Sequence, residues 1–337
     1  MMHITISQEV LNKHLAFGLG TESIKGPGRR RTSCKQKLED EITRVKDPKT
    51  LSVLNYLKQK LEVILIGTPE QLNKIIIKFN SKISGFSSRR VNYLYHFLQK
   101  VFVKDYEEFV DRKTGPQNLW CAYQYAEKLN VTICPYCNTQ FVFYYNKNGR
   151  TRPVLDHFFD KVKHPFLAIS IQNLVPCCKV CNSDFKGDSP IDYKDFLNPF
   201  EEGFGDSVFF EKKIPSSVKK TESMPDYLGA ILGENIQYKI HLNDENASSE
   251  LQEKVKNHND LFHIEDLYDL YHKKYVNDLI IKARIYNNAY MKQLAGSYSK
   301  LFNSAEVLKQ HLIPNDTDMN ITMLSKLTKD ILLKEIL

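Results

Sequence analysis

No stretch of this sequence is apolar for long enough to cross a membrane; the richest run, Val63 to Ile66, is far short of the ~20 residues a spanning helix needs. Met1 to Leu15 interleave His3, Gln8, Glu9 and Lys13 with apolar side chains, so the charged region and apolar core of a secretory signal are missing. A cytoplasmic setting with reduced thiols is the expectation. It leaves the seven cysteines to a metal or to catalysis rather than to disulfides. No segment repeats with a period of ~20–50 residues, which excludes solenoids and propellers. There is no GxxxxGK[ST] loop, so ATP-driven control would come from another polypeptide. There is no helix-turn-helix signature either, so base-specific reading cannot be argued.

What is present suits a soluble globular protein. With 42% hydrophobic and 26% charged residues, 337 residues can bury the core of one large domain or of two to three smaller ones. The net charge of +7 leans toward a polyanionic partner. The expected division has three parts: a mainly helical region over 1–130, a compact core over 131–198, and a second mainly helical region over 199–337.

Local signals are clearest in the first part. Asp47-Pro48 reads as a helix start, with Leu51, Leu54, Leu57, Leu61 and Ile64–Leu65 following at helical spacing until Gly67. Thr68-Pro69-Glu70 starts another, with Leu72, Ile75, Ile76 and Phe79 on one face. Two more helices are expected near Arg90–Val101 and Asn118–Leu129. In the middle, Thr139–Tyr145, the turn Asn146–Gly149 and Arg152–Asp156 read as a hairpin. Strands are expected at Ser207–Lys213 and Ile236–Leu242. One long helix follows, Leu261–Tyr286, with a stripe of Leu261, Ile264, Leu267, Tyr268, Tyr271, Tyr275 and Leu279.

The cysteines carry the strongest signal. Cys134-Pro135-Tyr136-Cys137 and Cys178-Lys179-Val180-Cys181 are two CxxC pairs with 40 residues between them. A two-residue spacer lets one tight turn aim both thiolates at a single ion, and two such turns close a tetrahedral structural zinc site. Cys177 has the wrong spacing to join them, and Cys34 and Cys121 read as structural.

Asp156-His157, Asn173 and Asn182 stand in or just after this cage. Each has a bland reading by itself: a surface pair, a turn residue, a helix cap. Together, in the order CPYC…LDHF…NLVPCCKVCNSDFKGD, they resemble the HNH (His-Me finger) nucleases over Cys134 to Asp188. The flanking DHFFDKVKHPFLAISIQNLVP looks most like standalone bacterial defence HNH proteins of the Septu type. The resemblance implies an α+β fold, with a zinc-stapled ββα-metal core between the two helical regions.

Phosphodiester hydrolysis needs an activated water, a cation at the developing charge and a polarised leaving oxygen. His157 can take the water's proton at neutral pH, and Asp156 can hold Mg²⁺ or Mn²⁺. By the resemblance, Asn182 is the second metal ligand, and Asn173 orients His157 and pins the loop between them. Lys186 is placed to meet a phosphate oxygen or to sit in solvent. Asp160 is a further acid, for the metal or for Lys161 or Lys163. His157→Ala is expected to abolish cleavage without unfolding, as a base at the rim of the site.

The expected substrate is DNA, in prokaryotic defence or restriction, with RNA open because an HNH site does not read the sugar. Lys25–Arg31 reads as a flexible basic arm for a phosphate backbone or as a solvated stretch, and Lys147, Arg150 and Arg152 add charge near the site. A partner, plausibly an ATPase, is expected on the helical regions, with Leu261–Tyr286 its foremost docking candidate; oligomers are compatible with single-strand cleavage. The rival is a non-catalytic zinc module that binds nucleic acid or protein. It would keep the four cysteines but have no use for Asp156, His157 and Asn182 together.

Overall fold

The computed structural model describes residues 2–22, 32–112, 119–145, 150–189, 191–216 and 225–336. The basic arm and the turn at 146–149 with Lys147 lie outside the described residues. The chain mixes many helices with two-stranded antiparallel sheets, an α+β composition. No helix of the described residues is long and apolar enough to cross a membrane. The chain divides into two compact units. One comprises His3–Pro135 and Phe141–Glu202, the other Met1–Met2, Tyr136–Gln140 and Gly203–Leu337.

In the N-terminal unit the caps do what their residue types dictate. Helices α1 (Gln8–Leu19) and α2 (Cys34–Arg44) start at Ser7 and Ser33, whose hydroxyls accept from first-turn N–H groups. Asp47 caps α3 (Pro48–Gln59). The expected continuation breaks at Lys60, and a short α4 (Leu61–Ile66) ends at Gly67. Thr68 and Gln71 form a reciprocal capping box on α5 (Pro69–Ile83), which buries Leu72, Ile75, Ile76 and Phe79 as its spacing predicts. Helices α6 (Ser88–Leu98), α7 (Lys104–Asp111) and α8 (Ala122–Leu129) follow, α6 and α7 joined through a π-helical turn. Gly18 is needed where α1 meets α4: a Cβ there would lie 2.4 Å from Leu65 Cδ1.

These helices grip the segment that becomes the site. Buried His14 on α1 donates from Nε2 to Ile169 O (2.6 Å) and accepts at Nδ1 from Trp120 (3.1 Å). Tyr125 on α8 donates to the carbonyls of Ile171 and Leu174, and Gln172 donates to Ile66 O at the end of α4. Phe79 on α5 packs on Phe166, ring centroids 4.5 Å apart.

Among the described residues the expected hairpin is reduced to one closing pair, Tyr145 and Thr151, which exchange both backbone hydrogen bonds, and Phe141 bridges to Ile133 instead. Strand β1 (Val154–His157) pairs instead with β2 (Leu174–Cys177), Asp156 opposite Val175 and His157 opposite Leu174. Pro153 has no N–H to extend the first ladder. The β1 side chains are buried on both faces, whereas Phe141, Phe143 and Tyr145 stay exposed.

In the C-terminal unit, β3 (Phe209–Lys213) and β4 (Lys239–Asn243) form the second sheet. Helix α9 (Pro225–Leu232) lies between them in sequence. The single long helix expected over Leu261–Tyr286 is three: α10 (Ser249–Phe262), α11 (Ile264–Tyr271) and α12 (Lys273–Ile285). His263 adopts a left-handed conformation (φ 51°), and Asn259 accepts from Glu265 N to restart the chain as α11. Glu265 Oε1 in turn accepts from Leu242 N, which fixes α11 against β4. The turn breaks the expected stripe, leaving Tyr271 exposed while Tyr268 is buried. Helices α13 (Asn288–Ser297), α14 (Ala305–Leu312) and α15 (Ser325–Ile336) complete the unit. The segment 136–140 is anchored here. Tyr136 stacks on Phe262, His258 donates to Tyr136 O, Tyr268 donates to Cys137 O, and Asn138 accepts from Lys326 N.

Candidate metal centre and active site

The ligand atoms of Cys134, Cys137, Cys178 and Cys181 all lie within 4.8 Å of one another, and all four residues are buried. A zinc ion at about 2.3 Å from each sulfur sets tetrahedral edges of about 3.8 Å, a spacing that fits within this cluster. The donors around it suit thiolates: Cys181 N donates to Cys178 Sγ and Thr139 Oγ1 to Cys137 Sγ. The four cysteines form a centre that could hold a zinc ion. Cys177, although adjacent, stays on β2, where burial pushes its thiol well above its ordinary range.

Beginning within the second cysteine pair, residues Val180–Lys186 form a wide π-helical segment that includes Cys181 and is closed by Gly187, whose φ of 47° favours glycine. The order β1, long loop, β2, helical segment brings the candidates onto consecutive pieces of one unit. Asp156 and His157 end β1. Asn173 starts the return into β2. Asn182 and Lys186 ride on the helical segment.

His157 is only 9% exposed, which corrects its expected position at a rim. Its Nε2 lies 2.9 Å from Ala168 O. A carbonyl only accepts, so Nε2 carries the proton and Nδ1 keeps its lone pair. Burial pushes the pKa down to about 3, and the positive charges of Lys161 and Lys186 add to this while the Ala168 bond opposes it. The imidazole is therefore neutral at physiological pH. Tyr106 on α7 meets its ring edge-on at 4.5 Å, and Lys161 Nζ lies 5.0 Å over the Tyr106 ring.

Asn173 is fully buried and holds the loop. Its Oδ1 accepts from Phe159 N (2.6 Å), and its Nδ2 donates to Phe159 O and Leu167 O (3.0 Å each). All three of these bonds go to the loop backbone, and its influence on His157 passes through that loop. Asp160 closes a turn by accepting from Val162 N, and makes no ion pair with Lys161 or Lys163 among the described residues. Asn182 is half-buried, with its amide donating to Ser183 Oγ.

Lys186 does not sit in solvent. Its ammonium is buried and donates to Asp156 Oδ1 (2.6 Å) and His157 O (2.7 Å). The cation beside the Asp156 carboxylate is thus the chain's own. Outside the cysteine cluster, no group of three or more histidine, cysteine or acidic side chains is placed to hold a metal among the described residues. Asp156 Oδ1 is thereby engaged by an ammonium, which a Mg²⁺ or Mn²⁺ ion held by Asp156 and Asn182 would have to share or displace. Lys186→Met is expected to cost about 3–5 kcal/mol, because it leaves a buried carboxylate without its ammonium. Urea unfolding measures this, and adding Asp156→Asn should recover a good part of the loss. A single variant as stable as wild type would show that the pair is not a clamp.

Sequence reasoning alone missed Tyr106 and the carbonyl of Ala168. Tyr106 belongs to a helix far upstream with no motif, and a backbone carbonyl has no residue signature. Comparison with known protein families finds no match. Neither do curated proteins or solved structures match the chain. Its function has to be read from the residues and their placement.

Proposed function

We propose that this chain is an HNH-type endonuclease that hydrolyses phosphodiester bonds of DNA, in prokaryotic defence or restriction. The observation that supports it best is the placement of His157: its tautomer is set by Ala168 O, at the end of a strand whose partner leads into the second cysteine pair. Nδ1 takes a proton from water while the water oxygen bonds to phosphorus and the phosphorus bond to the leaving oxygen breaks. Lys161 and the third N–H of Lys186 supply positive charge where negative charge develops. Asn173 keeps the loop that carries Ala168 in register.

One observation favours the non-catalytic alternative, a zinc-stapled binding module: Asp156 and Lys186 neutralise each other inside the fold. Cleavage separates the two. Supercoiled plasmid, single-stranded DNA and RNA are incubated with zinc-loaded protein and Mg²⁺, Mn²⁺ or EDTA. Nicked plasmid is the expected product. A chain that binds these substrates and cuts none of them under any condition would be the binding module, and RNA cleavage alone would move the substrate.

A further inference from the structure

A second place on the N-terminal unit gathers positive side chains around a cavity. Between the end of α2, the start of α3 and the start of α6 lies a pocket of about 520 Å³ lined by Arg44, Lys46, Asp47, Arg89, Arg90 and Tyr93, among others. Its single carboxylate is already committed. Asp47 Oδ2 accepts from the amide and hydroxyl of Thr50, and Oδ1 accepts from Arg90 (3.0 Å). Arg44, Lys46 and Arg89 make no ion pair among the described residues. Three like charges around one concavity repel unless an anion joins them. The first turn of α6 opens beside them with no side-chain cap on its N–H groups.

The same helix reaches the loop that follows β1. Tyr95, seven residues beyond Ser88, donates to Lys163 O in the loop between β1 and β2. At about 1.5 Å rise per residue the first turn of α6, at one end of the pocket, lies about 10 Å along the helix axis from Tyr95. That is the axial rise of roughly three nucleotides. Arg44 and Tyr93 also line a neighbouring cavity of about 360 Å³, where Lys37, His96 and Lys100 face the carboxylates of Asp40 and Glu41, so the unpaired positive charge is confined to the first pocket.

We infer that the Arg44–Lys46–Arg89 pocket binds a backbone phosphate of the nucleic-acid substrate a few nucleotides from the bond being cut. This rests on the nuclease reading and adds to it a substrate-holding site that the basic motifs at 25–31 and 147–152 do not include.

The test is fluorescence anisotropy with a labelled 30-mer DNA duplex and the full zinc-loaded chain carrying His157→Gln, so that the probe stays intact. Adding Arg44→Ala and Arg89→Ala is expected to weaken binding about tenfold at low salt. The slope of log K against log salt should become shallower by about 1.5–2, from roughly 0.7–0.9 per lost phosphate contact. Lys78→Ala with Lys256→Ala, the same charge loss at exposed positions elsewhere, should leave binding near the parent value. All four positions are exposed, and thermal melts verify folding. Arg90 is kept because it holds the α3 cap. Unchanged affinity and slope in the Arg44/Arg89 variant would overturn the pocket while leaving the nuclease reading intact if plasmid is still cut. A pocket that binds inorganic phosphate or a nucleoside monophosphate, with duplex affinity indifferent to the two arginines, would be a small-anion site and would also overturn it. Absence of both duplex binding and cleavage would remove the nuclease reading and the inference with it.

Discussion

Cys178→Ser is expected to yield unfolded or insoluble protein, and wild type purified without added zinc to carry one zinc per chain on metal analysis. Structural zinc contributes an apparent ~10–16 kcal/mol of folding free energy, as much as or more than the whole stability of a typical domain. Serine cannot supply a thiolate, and three sulfurs leave the tetrahedron open. The damage is not confined to the knuckle. Cys178 and Cys181 join β2 to the segment that carries Lys186, so freeing them also releases the ammonium from Asp156 and His157 O. Chelation should melt the protein in the same way. A zinc-free wild type that stays soluble and unfolds cooperatively would end the claim.

His157→Gln should lower cleavage at least about a hundredfold, the contribution typical of a positioned base. Glutamine is the more informative replacement, because the side chain is nine-tenths buried and alanine would remove packing along with chemistry. The amide can still donate toward Ala168 O but has no basic nitrogen for water. Loss of the Tyr106 contact should cost about 1–2 kcal/mol, visible as a lower melting temperature with folding retained. Near wild-type cutting by a folded Gln variant would take His157 out of the mechanism. If folding fails, the variant says nothing about chemistry, so the assay is paired with circular dichroism.

Much of the local structure was legible. The capping residues Asp47 and Thr68 placed α3 and α5, and the apolar spacing of α5 picked out its buried face, because these depend on contacts within a few residues. The four cysteines were legible for the same reason: each CxxC turn carries its own geometry. The residues between them were readable in type and order. Their surroundings were not. The hairpin expected at 139–156 shrinks to the Tyr145–Thr151 pair, while β1 pairs with β2 across the loop 158–173 that side chains of α1, α5 and α8 hold. The long C-terminal helix failed similarly. Its apolar stripe continues across His263 and His272, while Glu265 is drawn to β4, an element more than twenty residues earlier.

By itself, then, the sequence determined the short-range features: caps, buried helix faces, and two cysteine turns with a histidine, an aspartate and two asparagines strung in a telling order. Tertiary structure alone decided which charges meet. It placed Lys186 on Asp156 rather than in solvent, neutralised His157 by burying it against Tyr106 and Ala168 O, and gathered Arg44, Lys46 and Arg89 around one pocket. Charge interactions fall off over ångströms of space and burial sets their strength, and neither quantity is fixed by separation along the chain.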